Sequence, residues 1–415
     1  MGTEQSRESR HGEIDAILER KGGGVRETRD EADKYTVVGA ASRRTYANWL
    51  TPIEEHFVCH RNDIPDADAD AWSVSLTGDL EGRYALSELK DEFPTVAVAH
   101  TMECAGNGRG QHRPETGSVQ WGCEAAGTAV WSGTPISSVL RDQLEDGSDG
   151  AWLTAIGGDP SDGDDVFARS IPLSKALDDC ILAYEMNGEP LPREHGFPVR
   201  VIVPGWYGVN SVKWVEELRL MDTMVVENSL DRPGEHAYWQ QEAYRIHPAD
   251  VEPESNETVE TGDTWEQLET GEPEHPYTFD QTVMSIIGEP DGESAVTAPE
   301  DGLIEITGVA WAGDDDLEQV EVSTDGGDTW NAAELFGPDY AGAWRLFRYD
   351  WDATPGTHVL VSRATDDQGR RQPMRISNPD AWRGALEADE FPWNEGGYAA
   401  NAVLPNAVEV DVESP

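Results

Sequence analysis

The hydrophobic pattern changes character three times along the chain. Residues 1–45 read as a polar N-terminal extension with one short helix, Glu13 to Lys21, ended by Gly22-Gly23-Gly24. From 46 to 248, short apolar runs of two kinds are mixed. Thr95-Val96-Ala97-Val98-Ala99 and Val199-Arg200-Val201-Ile202-Val203 predict strands, while Ile136 to Leu144 and Leu173 to Leu177 predict helices. That mixture predicts an α+β domain without the regular alternation of a doubly wound sheet. Residues 249–277 hold few apolar positions and read as an acidic linker. From 278 to 415 the pattern becomes all-β. Strands are expected at Leu303 to Trp311, Val320 to Ser323, Trp344 to Tyr349 and His358 to Ala364, with Asp325-Gly326-Gly327 as a hairpin turn. Short strands separated by turn residues predict a β-sandwich, and no fixed-period repeat is visible.

Charge adds a constraint on partners. The 415 residues carry 81 acidic and 30 basic side chains, a net charge of -51. Such a surface repels nucleic acid and anionic membranes. Self-repulsion destabilises the compact state unless salt screens it. The acidic residues are spread along the chain, and lysine occurs only at Lys21, Lys34, Lys90, Lys175 and Lys213. Both features suit a salt-loaded cytoplasm, as in halophilic archaea. The four cysteines, Cys59, Cys104, Cys123 and Cys180, form no CxxC pair and are read as reduced thiols. There is no secretory apolar core near the N-terminus and no run of transmembrane length, so a soluble cytoplasmic protein is expected.

The candidate chemistry centres on Cys104, within Thr101-Met102-Glu103-Cys104-Ala105-Gly106-Asn107-Gly108-Arg109. A thiolate among small residues suits a soft redox metal, and an arginine five positions on suits an oxyanion. His56 and His60 have a zinc-like spacing, but Phe57-Val58-Cys59 favours a strand that separates them, so the spacing is read as accidental. Arg61-Asn62 offers a second arginine for an anion. Arg200 falls inside a strand pattern, where its charge needs either an ion-pair partner or a phosphate. Lys213, in Asn210-Ser211-Val212-Lys213-Trp214, is one of the few lysines. Trp121, Trp131 and the Trp239 to Arg245 segment are equally consistent with core or interface aromatics.

Taken in order, CAGNGR at 104–109, SIPL at 170–173, AYEMNGEPLPREHGFPVRVIVPG at 183–205, VKW at 212–214, WQQ at 239–241, GVAWAG at 308–313, VSTDGGDTW at 322–330 and AWRLF at 343–347 resemble the sulfite oxidase family of molybdopterin enzymes. The resemblance implies a mixed α+β molybdopterin-binding domain followed by an immunoglobulin-like sandwich that often mediates dimerisation. It implies Cys104 as the molybdenum ligand. Asp159, His195, Arg200, Ser211, Val212 and Lys213 would hold the molybdopterin and its phosphate. Arg61, Arg109, Trp121 and Tyr244 would line the substrate pocket. The chain also departs from the pattern. Gly396 stands where the animal enzymes bring a further arginine, Gly117 where a pocket lysine falls, Ala243 where an aspartate precedes the tyrosine, and Asp63 where a cofactor-binding histidine stands.

The implied reaction is oxygen-atom transfer at a cysteine-ligated molybdenum centre, oxidising sulfite to sulfate and passing electrons to an external one-electron acceptor, since no haem motif is present. A related enzyme reducing nitrate or an S-oxide is the alternative that Gly396 keeps open, and a non-catalytic interaction protein is the second. If position 396 faces the pocket, Gly396→Arg is expected to lower the KM for sulfite.

Overall fold

The computed structural model describes residues 12–23, 26–31, 34–60, 64–144, 151–158, 166–226, 229–230, 238–246, 267–268, 270, 276–297 and 303–414. Arg61, Asp63, Asp159 and most of the 249–277 linker lie outside the described residues.

Three sheets build the first part of the chain. Arg26–Glu31, Lys34–Gly39 and Val58–His60 form a small antiparallel sheet in that order. Its Val37 and Val58 pack against Ile14, Ile17 and Leu18 of a helix at 12–19, so the segment read as a polar lead buries an apolar face of its own. A second sheet runs Glu189–Pro190, Ile181–Met186, Ala126–Pro135, Val96–Glu103, with Arg200–Ile202 also bonded to Ile181–Met186. A third runs Gly82–Ala85, Ser73–Thr77, Val215–Met221, Trp152–Gly157, Ala168–Pro172. The short helices Leu86–Glu92, Ile136–Leu140 and Leu173–Asp178 flank these sheets. Both Leu173–Asp178 and the shorter Ile136–Leu140 begin directly after a strand that ends in proline, as a missing N–H permits at a helix start.

The C-terminal part is a two-sheet sandwich. One sheet runs Met284–Glu289, Leu303–Trp311, Arg345–Asp352, Glu334–Phe336. The other runs Val296–Thr297, Val408–Glu413, Gly356–Asp366, Leu317–Ser323, Asn331–Ala332. Ile304, Ile306, Phe347 and Trp351 of the first meet Val320, Val322, Leu360, Ala364, Val408 and Val410 of the second. Val408–Glu413 alternates buried and exposed without a break. Leu303–Trp311 alternates only at its start. Further on, Ala310 faces the sandwich core while Val309 and Trp311 join Tyr46, Cys123 and Ala126 of the first domain, so both faces are covered.

Domain contacts converge just upstream of Cys104. Thr101 O accepts from Gln281 Nε2 (2.7 Å), Thr101 Oγ1 accepts from the Trp344 N–H (2.7 Å), and Trp311 Nε1 donates to Glu103 Oε2 (3.0 Å). The passage 391–402 then returns over the first domain, where the Ala399 N–H donates to Ala105 O (2.8 Å). Among the described residues no helix is long and apolar enough to cross a membrane.

Lys21, two residues beyond the helix at 12–19, is fully buried, its Nζ donating to Glu54 O (2.8 Å) and His56 O (2.6 Å). Burial lowers its pKa from 10.5 to about 8, with Glu194 opposing the shift. The folded chain therefore releases this proton before the unfolded chain does, and native stability gains between those two values as pH rises. Relative to Lys21→Met, the wild type should gain about 3 kcal/mol across that window in urea unfolding. Parallel pH profiles for the two proteins would refute the buried ammonium.

Candidate active site

Cys104 follows directly on the strand Val96–Glu103, and the Cys104 N–H donates to Ala125 O (2.9 Å). Asn107 holds the loop from both sides. Its Nδ2 donates to Glu103 Oε1 (3.1 Å), and its Oδ1 accepts from the Ala125 N–H (3.1 Å). Gly108 takes a left-handed conformation, with φ of 81°, and turns the chain into the short helix Arg109–Gln111. Gly106 is needed for room. A Cβ there would stand 2.6 Å from Arg109 Cζ and Nη2. The guanidinium thus lies flat against the loop that presents the thiol.

The Cys104 thiol hydrogen-bonds with Cys59. That contact and burial push its pKa well above the ordinary value, while Arg109 pulls it down. A metal would have to displace the proton. None of the four cysteines is joined in a disulfide.

Arg109 is buried and pinned. Its Nε donates to Gly396 O (2.7 Å), its Nη1 to Val119 O (3.1 Å), and its Cζ lies 4.9 Å from the Tyr398 ring centre. Tyr398 in turn stacks on Tyr244 at 5.2 Å. Trp121 is buried in the cluster that includes Met102 and Ala125, against which Cys59 and Cys104 pack. The structure therefore gathers Cys104, Arg109, Trp121 and Tyr244 around one loop. A Cβ at Gly117 meets nothing within 4 Å.

A second constellation surrounds Lys213. Its Nζ donates to Cys59 O (3.3 Å), to Glu194 O (3.2 Å) and to His60 Nδ1 (3.3 Å). Arg200 donates to His195 O (2.9 Å) and Ser211 O (3.0 Å), with its Cζ 4.9 Å over the Trp131 ring. Burial lowers its pKa to about 9, so it stays cationic near neutrality. Ser211 Oγ accepts from the Val203 N–H (3.1 Å), and Val212 O accepts from the Val201 N–H (2.8 Å), which fixes the loop to the strand Arg200–Ile202. Among the described residues no carboxylate hydrogen-bonds Arg200, so the ion pair considered for it is not made there.

These residues fit a molybdopterin phosphate on a specific ground. His60 Nε2, His195 Nε2 and Arg200 Nε are buried with no hydrogen-bond partner among the described residues. Leaving such groups unsatisfied costs about 1–3 kcal/mol each, so Arg200 Nε, a fixed donor, calls for an acceptor and the two ring nitrogens for a partner beyond the described residues. Because the Lys213 ammonium donates to His60 Nδ1, the ring proton sits on Nε2, which is therefore a buried donor. Burial beside Lys213 keeps that ring neutral.

His60 is thus a candidate site residue, although its spacing from His56 reads in the sequence as accidental. A usable signal was present: a histidine two residues beyond Val58 in a strand shares its buried face and needs a partner there. His56 is also buried, its ring edge-on to His195 at 5.3 Å, and burial lowers its pKa to about 3. The described strand ends at His60, immediately before Arg61.

A family model described as an oxidoreductase molybdopterin binding domain matches residues 61–228, and one described as a Mo-co oxidoreductase dimerisation domain matches 275–384. Mitochondrial sulfite oxidase of Homo sapiens is 32% identical, over 82% of this chain and 60% of its own length. Sulfite oxidase of Gallus gallus is 32% identical over 81% of this chain and 71% of its own. An NADH nitrate reductase of Phaseolus vulgaris is 29% identical over 80% of this chain and 38% of its own. The chain thus spans less than two-thirds of the length of the human relative and well under half of the bean one. The sulfane dehydrogenase SoxCD of Paracoccus pantotrophus shares the fold, with a TM-score of 0.71 at 24% identity, over 97% of this chain and 92% of that one. With both domains matched in order, and the chicken enzyme covered over most of its length, the chain is a member of the sulfite oxidase family of molybdenum-cofactor oxidoreductases.

Proposed function

We propose that the protein oxidises sulfite to sulfate and delivers the electrons, one at a time, to an external acceptor. The observation that carries this reading is the joining of a thiol and a pinned arginine through Gly106, next to a cation cradle with unsatisfied donors. His60, His195, Arg200, Ser211, Val212 and Lys213 would hold the organic cofactor, and Cys104 the metal. Asp159 and Arg61 belong to the same proposal by family position. When bound, the molybdenum cofactor supplies two-electron oxygen-atom transfer. The chain's own part is to bind and orient the oxyanion at Arg109, to offset charge developing on its oxygens, and to exclude water with Trp121 and Tyr244. A homodimer through the sandwich and a cytoplasmic location in high salt complete the proposal.

Reduction of nitrate or an S-oxide is the second reading, favoured by the absence of a side chain at position 396. One experiment separates the two. Purified protein kept in molar salt is analysed for molybdenum, then followed by Mo(V) resonance after adding sulfite. A signal with sulfite supports oxidation. Reoxidation of dye-reduced protein by nitrate or an S-oxide, without any response to sulfite, would replace it with the second reading.

A further inference from the structure

Tyr398 stands at a place that the sequence reading left vacant. The turn carrying it is held by Asn394, whose Nδ2 donates to Tyr398 O (3.0 Å) and whose Oδ1 accepts from the Tyr398 N–H (2.9 Å). The next residue, Ala399, donates its N–H to Ala105 O, one residue from Cys104. The ring is thereby fixed relative to the thiol loop. It is buried, with the Arg109 guanidinium 4.9 Å from its centre and the Tyr244 ring stacked on it at 5.2 Å and 27°. A Cβ built on Gly396 would lie 2.4 Å from Tyr398 Cδ2 and Cε2. A side chain at 396 and the Tyr398 ring exclude one another. The expectation that Gly396→Arg alone improves sulfite binding is therefore corrected: the added side chain meets the ring before it reaches an anion.

We propose that Tyr398 is a specificity-determining residue of the anion pocket, closing with an uncharged aromatic wall the side from which a residue at 396 would project. Arg109 spends one N–H on Gly396 O and one on Val119 O, and its flat face lies against Gly106. On this side the pocket offers one guanidinium and two aromatic rings. Each added charge on an anion is stabilised in proportion to the cations around it, while an aromatic face accepts a flat or apolar flank without charge. The wall therefore favours a singly charged oxyanion, such as hydrogen sulfite, or one bearing an apolar substituent, over a compact dianion. This inference rests on the reading of the Arg109–Tyr244 region as the substrate pocket.

The test uses molybdenum-loaded protein in a fixed high concentration of potassium chloride. Sulfate (dianion) and nitrate (monoanion) are titrated by calorimetry into wild type, Tyr398→Val, Gly396→Arg and the double variant, with molybdenum content measured for each. Gly396→Arg alone should gain no sulfate affinity. The double variant should bind sulfate about 10–100-fold more tightly than wild type, with nitrate affinity changed far less, the size of one charge-assisted contact. An equal gain in Gly396→Arg alone, or no gain in a metal-loaded double variant, overturns the proposal. If the double variant loses its metal, Tyr398→Val decides: the sulfate-to-nitrate affinity ratio should rise, and an unchanged ratio overturns the proposal. Because these are equilibrium affinities, they stand apart from turnover. Absence of a Mo(V) signal with sulfite would remove the sulfite reading while leaving the anion preference measured.

Discussion

Cys104→Ser is expected to abolish turnover and strip the protein of molybdenum while leaving much of the pterin bound. The replacement is nearly isosteric, and the loop does not depend on sulfur. It is held by the Cys104 N–H to Ala125 O and by Asn107 on both sides. What changes is the donor: a thiolate is a soft, readily ionised ligand, and a serine hydroxyl is neither. In the proposed site the organic part would rest on other residues, namely Arg200 and Lys213 with the buried ring nitrogens of His60 and His195. The expected result is thus split. Metal per chain falls towards zero, and pterin fluorescence after oxidative release stays near the wild-type level. Wild-type metal content and activity in Cys104→Ser would end its assignment as the ligand. Loss of pterin together with metal would instead show that the cation cradle does not hold the cofactor by itself.

The division between what sequence shows and what only structure shows follows the range of the interaction. Strands with a periodic local cause were legible. Leu303–Trp311 has the bounds its pattern predicts, and His358 to Ala364 lies within the longer strand Gly356–Asp366. The helix predicted from Ile136 to Leu144 stops at Leu140, within the ±2–4 residues by which local propensity places boundaries. The residues proposed to hold the cofactor stood out in the sequence because their motifs are dense and ordered, and the structure brings His195, Arg200, Ser211 and Lys213 together. Lys21, His60 and Tyr398 were not, since each gains its meaning from residues far away in sequence. Lys21 reaches Glu54 and His56, His60 meets Lys213, and Tyr398 lies between Arg109 and Tyr244. Gly396 shows the difference most clearly. Sequence registers a missing charge, whereas structure shows an aromatic ring already standing in its space.

Gly106→Ala should raise the KM for sulfite by about 10–100-fold, the loss of one charge-assisted contact of about 1.5–3 kcal/mol, with molybdenum content kept. The added Cβ would lie 2.6 Å from Arg109 Cζ and Nη2 and 2.7 Å from Nη1. An arginine tip in open solvent would swing aside at little cost, but this one cannot. Its Nε and Nη1 are bonded to Gly396 O and Val119 O, and the Tyr398 ring lies alongside. The opposite side is closed as well. A Cβ on Gly397 would stand 2.6 Å from Arg109 Cγ, so the aliphatic stem is packed against bare backbone. Relief requires breaking one of those bonds and moving the charge away from the thiol loop. Overpacking of this kind costs about 1–3 kcal/mol of stability, which thermal unfolding would register. A double-mutant cycle with Arg109→Met separates the two consequences. If Gly106 acts through the guanidinium, the double variant should show the KM of Arg109→Met alone, because the second substitution has nothing left to displace. Additive losses would mean that the alanine disturbs the Cys104 loop itself, and that Gly106 serves the metal site rather than the anion.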